Sequence, residues 1–408
     1  IFKKSMGSSM KYLTNAFHLE KIVDPKTQKA VVFAYDNRYS DEVTGQSMWV
    51  DYKFIGSTPY YYGADNTYLE REGDEYTVSS IQFTEGKVLF IKDTANRLDG
   101  GTKALKEVQV YNNRNKLLKR VKLNYFYLTS DTSIRCTTPY NRMFLSSVQE
   151  TEYNESGDSL VKPPYVFSYK NDVKLPCIYS YAFDHWGFYN GKTSNTTTLP
   201  TIQPLLQLGI PAHSNKDIDT TYTQCGILKS IQYPTGGTTN FEYEYNRTDT
   251  IVGGLRVKKI MHVDSVANKS ITKEFEYKNS AGQSSGQVLF NPVLFYNYHS
   301  MDQYGGYPVY RIHGDAISPL FPNQGSPVLY TQVLEKITGP DGDIRIRHYM
   351  TGFDAYSSTI YRNMCCGVPF NKHPIRSDLV GIEIQTETYK YEGGAYNLTS
   401  SNTSNVEP

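Results

Sequence analysis

The chain has 408 residues, of which 42 are Lys or Arg and 41 are Asp or Glu, so its formal net charge is +1. This balance lacks the basic excess that binding to a phosphate backbone requires, and no basic block is present, so we expect no nucleic-acid partner. With 36 Tyr and 18 Phe, the chain has ample aromatic surface for a folded core. No run of 18 apolar residues occurs, so we expect no transmembrane helix.

The beginning of the chain carries no recognisable targeting signal. Its first ten residues include Lys3 and Lys4 but no apolar run followed by a small-residue cleavage site. The chain also lacks an initiator Met, and we expect it to be part of a longer polypeptide. An outer-membrane association through a preceding segment stays open on the sequence alone. We treat residues 1–104 as an N-terminal β region.

Strict alternation of apolar and polar residues, typical of half-buried strands, recurs along the chain, and helical periodicity hardly appears. Polar turns separate the alternating runs, and several contain Gly beside Pro or a second Gly, as tight reversals require. The predicted hairpins pair 107–111 with 117–127, 227–233 with 238–245, 255–263 with 270–277, and 328–338 with 344–350, before a last strand at 380–391. The sequence therefore predicts an all-β fold of stacked antiparallel hairpins, forming an extended curved sheet or a partial β-shell.

Two long irregular stretches interrupt the hairpin region, which we place at residues 105–395. They lie at about 176–220 and 284–324 and are rich in Pro, Asn, Ser and Gly. Connections of this length often carry a binding surface or cover the end of a sheet. Residues 396–408 are rich in Ser, Thr and Asn and lack periodicity, so we expect a disordered tail or linker there.

One short loop in the first irregular stretch, 184–191, combines a carboxylate, an imidazole, an indole, a phenol and an amide. An exposed Trp and Tyr would offer a stacking platform for sugar rings, and the polar groups would hydrogen-bond to hydroxyls. In the competing interpretation, the Trp fills a core and the polar groups satisfy the backbone of a long loop. The candidate ligand-binding residues are Asp184, His185, Trp186, Tyr189 and Asn190.

Catalytic, cofactor and metal motifs are not recognised in the sequence. Glu242 and Glu244 share one face of a predicted strand, which is expected to be solvated. Glycine pairs at 100–101, 236–237, 253–254 and 393–394 are expected at strand turns and not before helices, so no nucleotide cofactor is indicated.

The five cysteines have no Cys-x-x-Cys spacing, which disfavours zinc and favours buried thiols or incidental disulfides. They are Cys136, Cys177, Cys225, Cys365 and Cys366.

Several landmarks resemble, in sequence order, the RHS/YD-repeat surface proteins of Gram-negative outer-membrane bacteria. The resemblance covers roughly residues 105–395 and departs from the family in its Tyr-Asp repeat, which appears only in loose forms such as Tyr35-Asp36. The landmarks are Arg142-Met143-Phe144-Leu145, Pro163-Pro164-Tyr165-Val166-Phe167-Ser168-Tyr169, Asp184-His185-Trp186-Gly187, Thr198-Leu199-Pro200, Ile231-Gln232-Tyr233-Pro234-Thr235-Gly236-Gly237 and Gly253-Gly254-Leu255-Arg256-Val257.

The resemblance implies an exported protein of stacked β-hairpins that in some relatives curls into a shell around a C-terminal toxin. We therefore expect a non-enzymatic scaffold at the cell surface, in the outer membrane or outside the cell. Its partners would be other proteins or the remainder of its own polypeptide. The alternative hypothesis is a carbohydrate-binding or carbohydrate-active module that uses the 184–191 loop, with a glycan as ligand.

Overall fold

A computed structural model describes residues 2–7, 13–100, 102–132, 140–201, 206–207, 209–288, 297–301, 308–314, 326–352 and 380–405. Apart from one 3-10 helix, Tyr222–Gln224, the elements within these ranges are strands. The first eleven are β1 (Phe2–Gly7), β2 (Leu13–Leu19), β3 (Lys21–Val23), β4 (Ala30–Ile55), β5 (Thr58–Phe83), β6 (Gly86–Asn96), β7 (Lys103–Asn112), β8 (Leu117–Thr129), β9 (Asn141–Tyr153), β10 (Ser159–Val161) and β11 (Tyr165–Tyr169). The remaining twelve are β12 (Leu228–Gln232), β13 (Thr238–Arg247), β14 (Ile251–Asp264), β15 (Lys269–Glu276), β16 (Gly286–Gln287), β17 (Asn297–Met301), β18 (Pro308–His313), β19 (Leu329–Tyr330), β20 (Gln332–Gly339), β21 (Gly342–Met350), β22 (Glu383–Glu392) and β23 (Ala395–Thr403).

Most of these strands belong to one antiparallel sheet. Within the described ranges its continuous path contains 17 strands and does not close into a barrel. The path runs β17-β18-β4-β5-β6-β7-β8-β9-β11-β12-β13-β14-β15-β20-β21-β22-β23. Strands β1, β2, β3 and β10 pair along its margins, while β16 and β19 form a separate two-stranded sheet. The predicted all-β class with stacked antiparallel hairpins is confirmed.

The predicted hairpins also form where alternation and turn chemistry placed them. The pairs β7–β8, β12–β13, β14–β15 and β20–β21 each join strands that are consecutive in the chain. At the last turn, Gly393 and Gly394 have φ angles of 65° and 88°. Two consecutive positive φ angles suit a two-residue hairpin whose twist matches that of the flanking strands, and glycine adopts them without steric cost.

The expectation of a disordered tail from residue 396 is wrong for residues up to Thr403. These residues form β23, which pairs with β22 from Glu392↔Ala395 to Gln385↔Thr403. The Gly393–Gly394 turn brings the segment back onto β22, and the backbone ladder then supplies hydrogen bonds that composition alone does not reveal. Tyr391 and Tyr396 pack ring to ring across the pair, with centroids 5.0 Å apart.

The two long irregular stretches have different structures. The first lies within a loop of residues 170–227, between β11 and β12, which we call the central loop. The second contains β16, β17 and β18, and so is not irregular throughout. Strand β18 pairs with β4, from Val309↔Lys53 to His313↔Trp49, although the two are far apart in sequence.

Strands β4 and β5 form the longest hairpin, with 26 residues in each strand. We call this hairpin the arm. Its base pairs with β6 through Ser80–Phe83, and its tip, near the Ile55–Thr58 turn, pairs with β18. A buried apolar cluster joins the tip to β18 and to the central loop. The members of this cluster are Val50, Tyr52, Phe54, Leu199, Ile210 and Ile312.

A repeated tyrosine arrangement accompanies irregularities in strand pairing. Four tyrosines each follow directly after a register shift, and each hydroxyl donates a hydrogen bond to a leucine carbonyl of another strand. Bulges of this kind bend a strand and increase its twist, so the arrangement contributes curvature to the sheet. The pairs are Tyr35 to Leu19, Tyr125 to Leu105, Tyr169 to Leu145 and Tyr243 to Leu228, at 2.6, 2.7, 2.9 and 2.8 Å.

Across the part of the chain that the structure describes, none of the helical segments has the length and hydropathy of a membrane span.

Candidate functional site

The five predicted ligand-binding residues lie in the central loop, close together but unequally exposed. Asp184 and Asn190 have 0 % exposed surface, whereas His185, Trp186 and Tyr189 are half-buried. A ligand therefore has no access to two of the three polar side chains that were expected to bind hydroxyls. These two residues instead hold the loop together.

Asp184 organises the turn that follows it. Its Oδ1 accepts hydrogen bonds from the backbone N–H groups of Trp186 and Phe188, at 2.9 and 3.0 Å. Its Oδ2 is buried and has no hydrogen-bond partner among the described residues. Burial disfavours the charged carboxylate and raises the pKa of Asp184 to about 6, while the two backbone donors work against this shift.

Asn190 belongs to a group of asparagine side chains that satisfy buried backbone carbonyls. Its Nδ2 donates to the carbonyls of Asn215 and Asp217, at 3.2 and 3.0 Å. Asn195 donates in the same way to Tyr181 and Asn215 and accepts from the Asn215 N–H. A long loop without a ladder needs such partners because unpaired buried backbone groups are costly.

The loop rests on the glycine pair of β14, which lies inside a strand and not at a turn as expected. The pairing of β13 with β14 shifts between Tyr245 and Asn246, so that Gly253 and Gly254 form a bulge opposite. A Cβ on Gly253 would lie 2.7 Å from the Trp186 ring and 2.8 Å from Asp184 Oδ2. Glycine is therefore required at Gly253 for the loop to approach the strand so closely.

The opposite side of the central loop contacts the arm and β18. The Tyr52 hydroxyl lies 3.4 Å from Nε2 of His213. Lys216, which is only 5 % exposed, donates from Nζ to the Gly314 carbonyl at 3.3 Å. The same Nζ lies 4.3 Å from the centre of the Phe183 ring, next to Asp184. One loop thus joins β14 to the tip of the arm.

The half-buried members of the predicted site are arranged for packing. Burial lowers the pKa of His185 to about 4, so this imidazole is neutral at pH 7. The rings of His185 and Trp186 meet edge to face with centroids 6.1 Å apart. Tyr189 packs in the same way against Tyr222, and burial raises its pKa to about 12. The arrangement matches the competing interpretation, in which the aromatic groups fill a core.

Other candidate groups for chemistry are occupied by structural contacts. Glu242 is exposed, as expected for a solvated face, whereas Glu244 is paired with Arg256 at 2.7 Å.

Burial raises the pKa of the Cys225 thiol above its usual range, the opposite of what a nucleophilic cysteine needs. Cys177 is disulfide-bonded. Cys136, Cys365 and Cys366 lie outside the described residues. Within the described ranges, no three His, Cys, Asp or Glu side chains are placed to share a metal ion.

Sequence reasoning missed the residues that hold this region together. Asn195, Asn215 and Lys216 lie in the polar stretch, where their residue types are ordinary for a loop. The glycine pair at 253–254 carried the clearest signal because it is flanked by alternating strand residues. Two glycines within such a run indicate a bulge or a close approach of another segment.

No protein-family model matches the chain, and no curated protein is significantly similar to it. The resemblance to RHS/YD-repeat proteins therefore stays a prediction.

Proposed function

We propose that this chain is a non-enzymatic, exported β-scaffold, similar to RHS/YD-repeat surface proteins, that offers an enclosing or binding surface to other polypeptides. The observation that carries the proposal is that β14 and the tip of the arm contact the same central loop. The partners would be other proteins or the remainder of its own polypeptide. The buried positions of Asp184 and Asn190 favour this function over recognition of a glycan by the 184–191 loop.

Three parts of the chain contact one another in a closed circuit, which we call the ring. They are the arm, the strands of the sheet from β6 to β14, and the central loop. Seven strand spacings separate β6 from β14, which corresponds to roughly 34 Å across a flat sheet. Along β5, the 18 residues from Gly63 to Ser80 are separated by 17 residue spacings, which span roughly 56 Å between the tip and the base of the arm. The central loop closes the ring because it contacts β14 through Trp186 and the arm through Leu199. A ring of this size supports the idea of an enclosing wall.

The disulfide at Cys177 supports export. Disulfides persist in oxidising compartments such as the periplasm and the cell exterior, and are rare in the reducing cytosol. Cys177 is 4 % exposed and lies at the start of the central loop, so the cross-link would secure the element that closes the ring.

Labelling of intact source cells tests the exported location. Cells are treated with a membrane-impermeant, amine-reactive biotin, and captured peptides are mapped onto residues 1–408. We expect labelled peptides that contain exposed lysines such as Lys229, with a cytosolic protein of the same cells as the unlabelled control. Labelling that occurs only after lysis would overturn the exported location.

Imaging of single particles of the native gene product tests the scaffold role. We expect a curled wall of strands, with further polypeptide or a bound protein on its concave side. An open sheet with no enclosed or bound polypeptide, in particles purified without denaturation, would contradict the proposal.

A further inference from the structure

His348, on β21, lies between two carboxylates that belong to the strands on either side of it. Its Nδ1 lies 2.6 Å from Oε1 of Glu383, the residue at which β22 begins. Its Nε2 lies 3.4 Å from Oε2 of Glu335, on β20. Since β20 and β22 both pair with β21, one imidazole bridges three neighbouring strands of the sheet. The cluster contains no residue of the central loop.

The geometry of the cluster determines the protonation state of the imidazole. An ionised carboxylate only accepts hydrogen bonds, and a neutral imidazole has one N–H donor and one acceptor nitrogen. The doubly protonated imidazolium satisfies both contacts, whereas the neutral ring would place a lone pair against one carboxylate oxygen. Glu335 first, and Glu383 after it, accordingly raise the pKa of His348 above its ordinary value of 6.5, against the effect of burial.

The two carboxylates differ in what can replace the imidazole as a partner. Glu335 is only 8 % exposed, and its Oε1 accepts a further hydrogen bond from Lys273 at 2.8 Å. The side chain of Glu383 is 51 % exposed, so water can take the place of an N–H donor there. A neutral imidazole would therefore keep its single N–H for the buried Glu335 and leave Glu383 to the solvent.

The charged groups that face the imidazole come from three strands within the described ranges. Strand β20 contributes Glu335, β22 contributes Glu383, and Lys273 of β15 lies behind Glu335. Arg347 and its cross-strand partner Glu387 lie on the other face of the sheet, because successive side chains of a strand alternate. Loss of the imidazolium proton therefore leaves two anions with one cation on this face.

The position of Glu383 links this proton to the end of the sheet. Strand β22 begins at Glu383, and β22 with β23 forms the last hairpin of the continuous path. We propose that His348 is a pH-sensitive clamp: its imidazolium holds the beginning of β22 against β21, and loss of the proton releases Glu383 and loosens this end of the hairpin. The clamp depends neither on export nor on the closed ring.

The direction of the pH effect follows from the raised pKa of His348. A folded-state pKa above the ordinary 6.5 means that the folded protein favours the imidazolium. The stabilising effect of the clamp is therefore complete below pH 6.5 and is lost as pH rises through the raised pKa.

Hydrogen–deuterium exchange of the whole 408-residue chain, read by mass spectrometry on peptides from β22, tests the clamp. Glu383→Gln keeps the size of the side chain but removes the charge that holds the imidazolium. Comparing this variant with the parent at equal pH cancels the effect of pH on chemical exchange. At pH 6.0 we expect the first residues of β22 to exchange about two- to fivefold faster in the variant, as suits an exposed ion pair. At pH 9.0 the two proteins should exchange alike.

The matched control is Glu392→Gln, because Glu392 lies at the other end of β22 and is paired with Lys390. It should leave exchange at the beginning of β22 unchanged at both pH values. Equal exchange of Glu383→Gln and the parent at pH 6.0 would overturn the clamp, as would acceleration by the same factor at pH 6.0 and 9.0.

NMR follows the proton itself. The ring signal of His348, assigned by its absence from the spectrum of His348→Gln, should titrate at a higher pH in the parent than in Glu383→Gln. The Glu392→Gln variant should titrate like the parent. Equal titration midpoints in the parent and Glu383→Gln would show that Glu383 does not hold the imidazolium, and would overturn the clamp.

Discussion

The carboxylate of Asp184 lies directly against the backbone of Gly253, with Oδ2 only 2.8 Å from the position that a Cβ would occupy. The contact joins the central loop to β14 and depends on the absence of a side chain. It also places an ionisable group where water cannot reach it. Both properties can be tested separately.

Gly253→Ala should destabilise the protein by about 1–3 kcal/mol, since the added methyl group would overlap the Trp186 ring at 2.7 Å. Chemical denaturation gives the free energy of unfolding, and Trp fluorescence should report the displaced indole. Gly63→Ala is the matched control because Gly63 also lies in a strand, has an ordinary φ and has no atom within 4 Å of its Cβ position. Equal stability of the two variants would show that the loop does not rest on β14 as described.

The pKa values of Asp184 and His185 predict opposed effects of pH on stability. The folded-state pKa of Asp184, about 6, lies above its ordinary value of 3.8. The folded protein therefore favours the neutral carboxyl, and the free energy of unfolding that this preference adds is fully present below pH 3.8 and is lost as pH rises through about 6. The folded-state pKa of His185, about 4, lies below its ordinary 6.5. The folded protein therefore favours the neutral imidazole, and the free energy of unfolding that this preference adds is present above pH 6.5 and is lost as pH falls through about 4.

Asp184→Asn should therefore make stability rise with pH, relative to the unmodified chain, by up to about 1.4 kcal/mol per pH unit between pH 4 and 6. His185→Asn should give the opposite slope in the same range. Urea denaturation at pH 4.5 and 6.0 measures both differences, and the variant-minus-parent comparison removes the contributions of all other groups. Parallel pH profiles for the two variants would contradict the burial of these side chains.

Tyr243→Phe tests the tyrosine arrangement that accompanies the bulges. The variant keeps the ring but leaves the Leu228 carbonyl without its 2.8 Å hydrogen bond, so we expect a loss of about 1 kcal/mol. Tyr61→Phe serves as the control, because this tyrosine is 68 % exposed and its hydroxyl makes no hydrogen bond to any described residue. Thermal unfolding should separate the two variants, and identical melting temperatures would count against a stabilising role for the hydroxyl.

A cross-link between the arm and the central loop tests whether the ring is closed. Met48 Sδ and Thr197 Oγ lie 3.7 Å apart, so Met48→Cys, Thr197→Cys should be joined by a short bismaleimide within one molecule. Mass spectrometry of the digested protein identifies the linked peptides. Leu98→Cys, Thr197→Cys is the control, since Leu98 is 67 % exposed near the turn that follows β6. Equal yields from the two pairs, or intermolecular products alone, would contradict the closed arrangement.

Local patterns were sufficient to predict the hairpins. The strands on either side of Pro234–Gly237 alternate, and the proline and glycines mark the turn, so the pairing of β12 with β13 follows from residues within a few positions of each other. The same rule misplaced Gly253 and Gly254 at a turn. Two glycines within a strand run indicate that another segment approaches closely, but the local pattern does not show that this segment is the one containing Trp186, which is distant in sequence.

The pairing of strands that are far apart in sequence, such as β18 with β4, could not be predicted either, because local patterns do not identify a distant partner. Nothing near Val309 indicates that it lies opposite Lys53, because any alternating strand can form a similar ladder. The five candidate residues do lie close together in the central loop, but the burial of two of them was not predictable. Asp184 and Asn190 are residue types that are usually exposed, and their burial depends on backbone groups of the whole loop.

The pairing of β18 with the tip of the arm also constrains how the chain reaches its native state. Asp51 and Arg311, whose side chains are joined at 2.6 Å, are separated by 260 residues. At ribosomal rates of about 5–20 residues per second, the tip of the arm waits roughly 13–52 s for its partner strand. During that interval an unpaired strand edge and the apolar side chains of Val50 and Phe54 are available to other chains. The order of synthesis therefore exposes the tip of the arm to intermolecular strand pairing until β18 has been made.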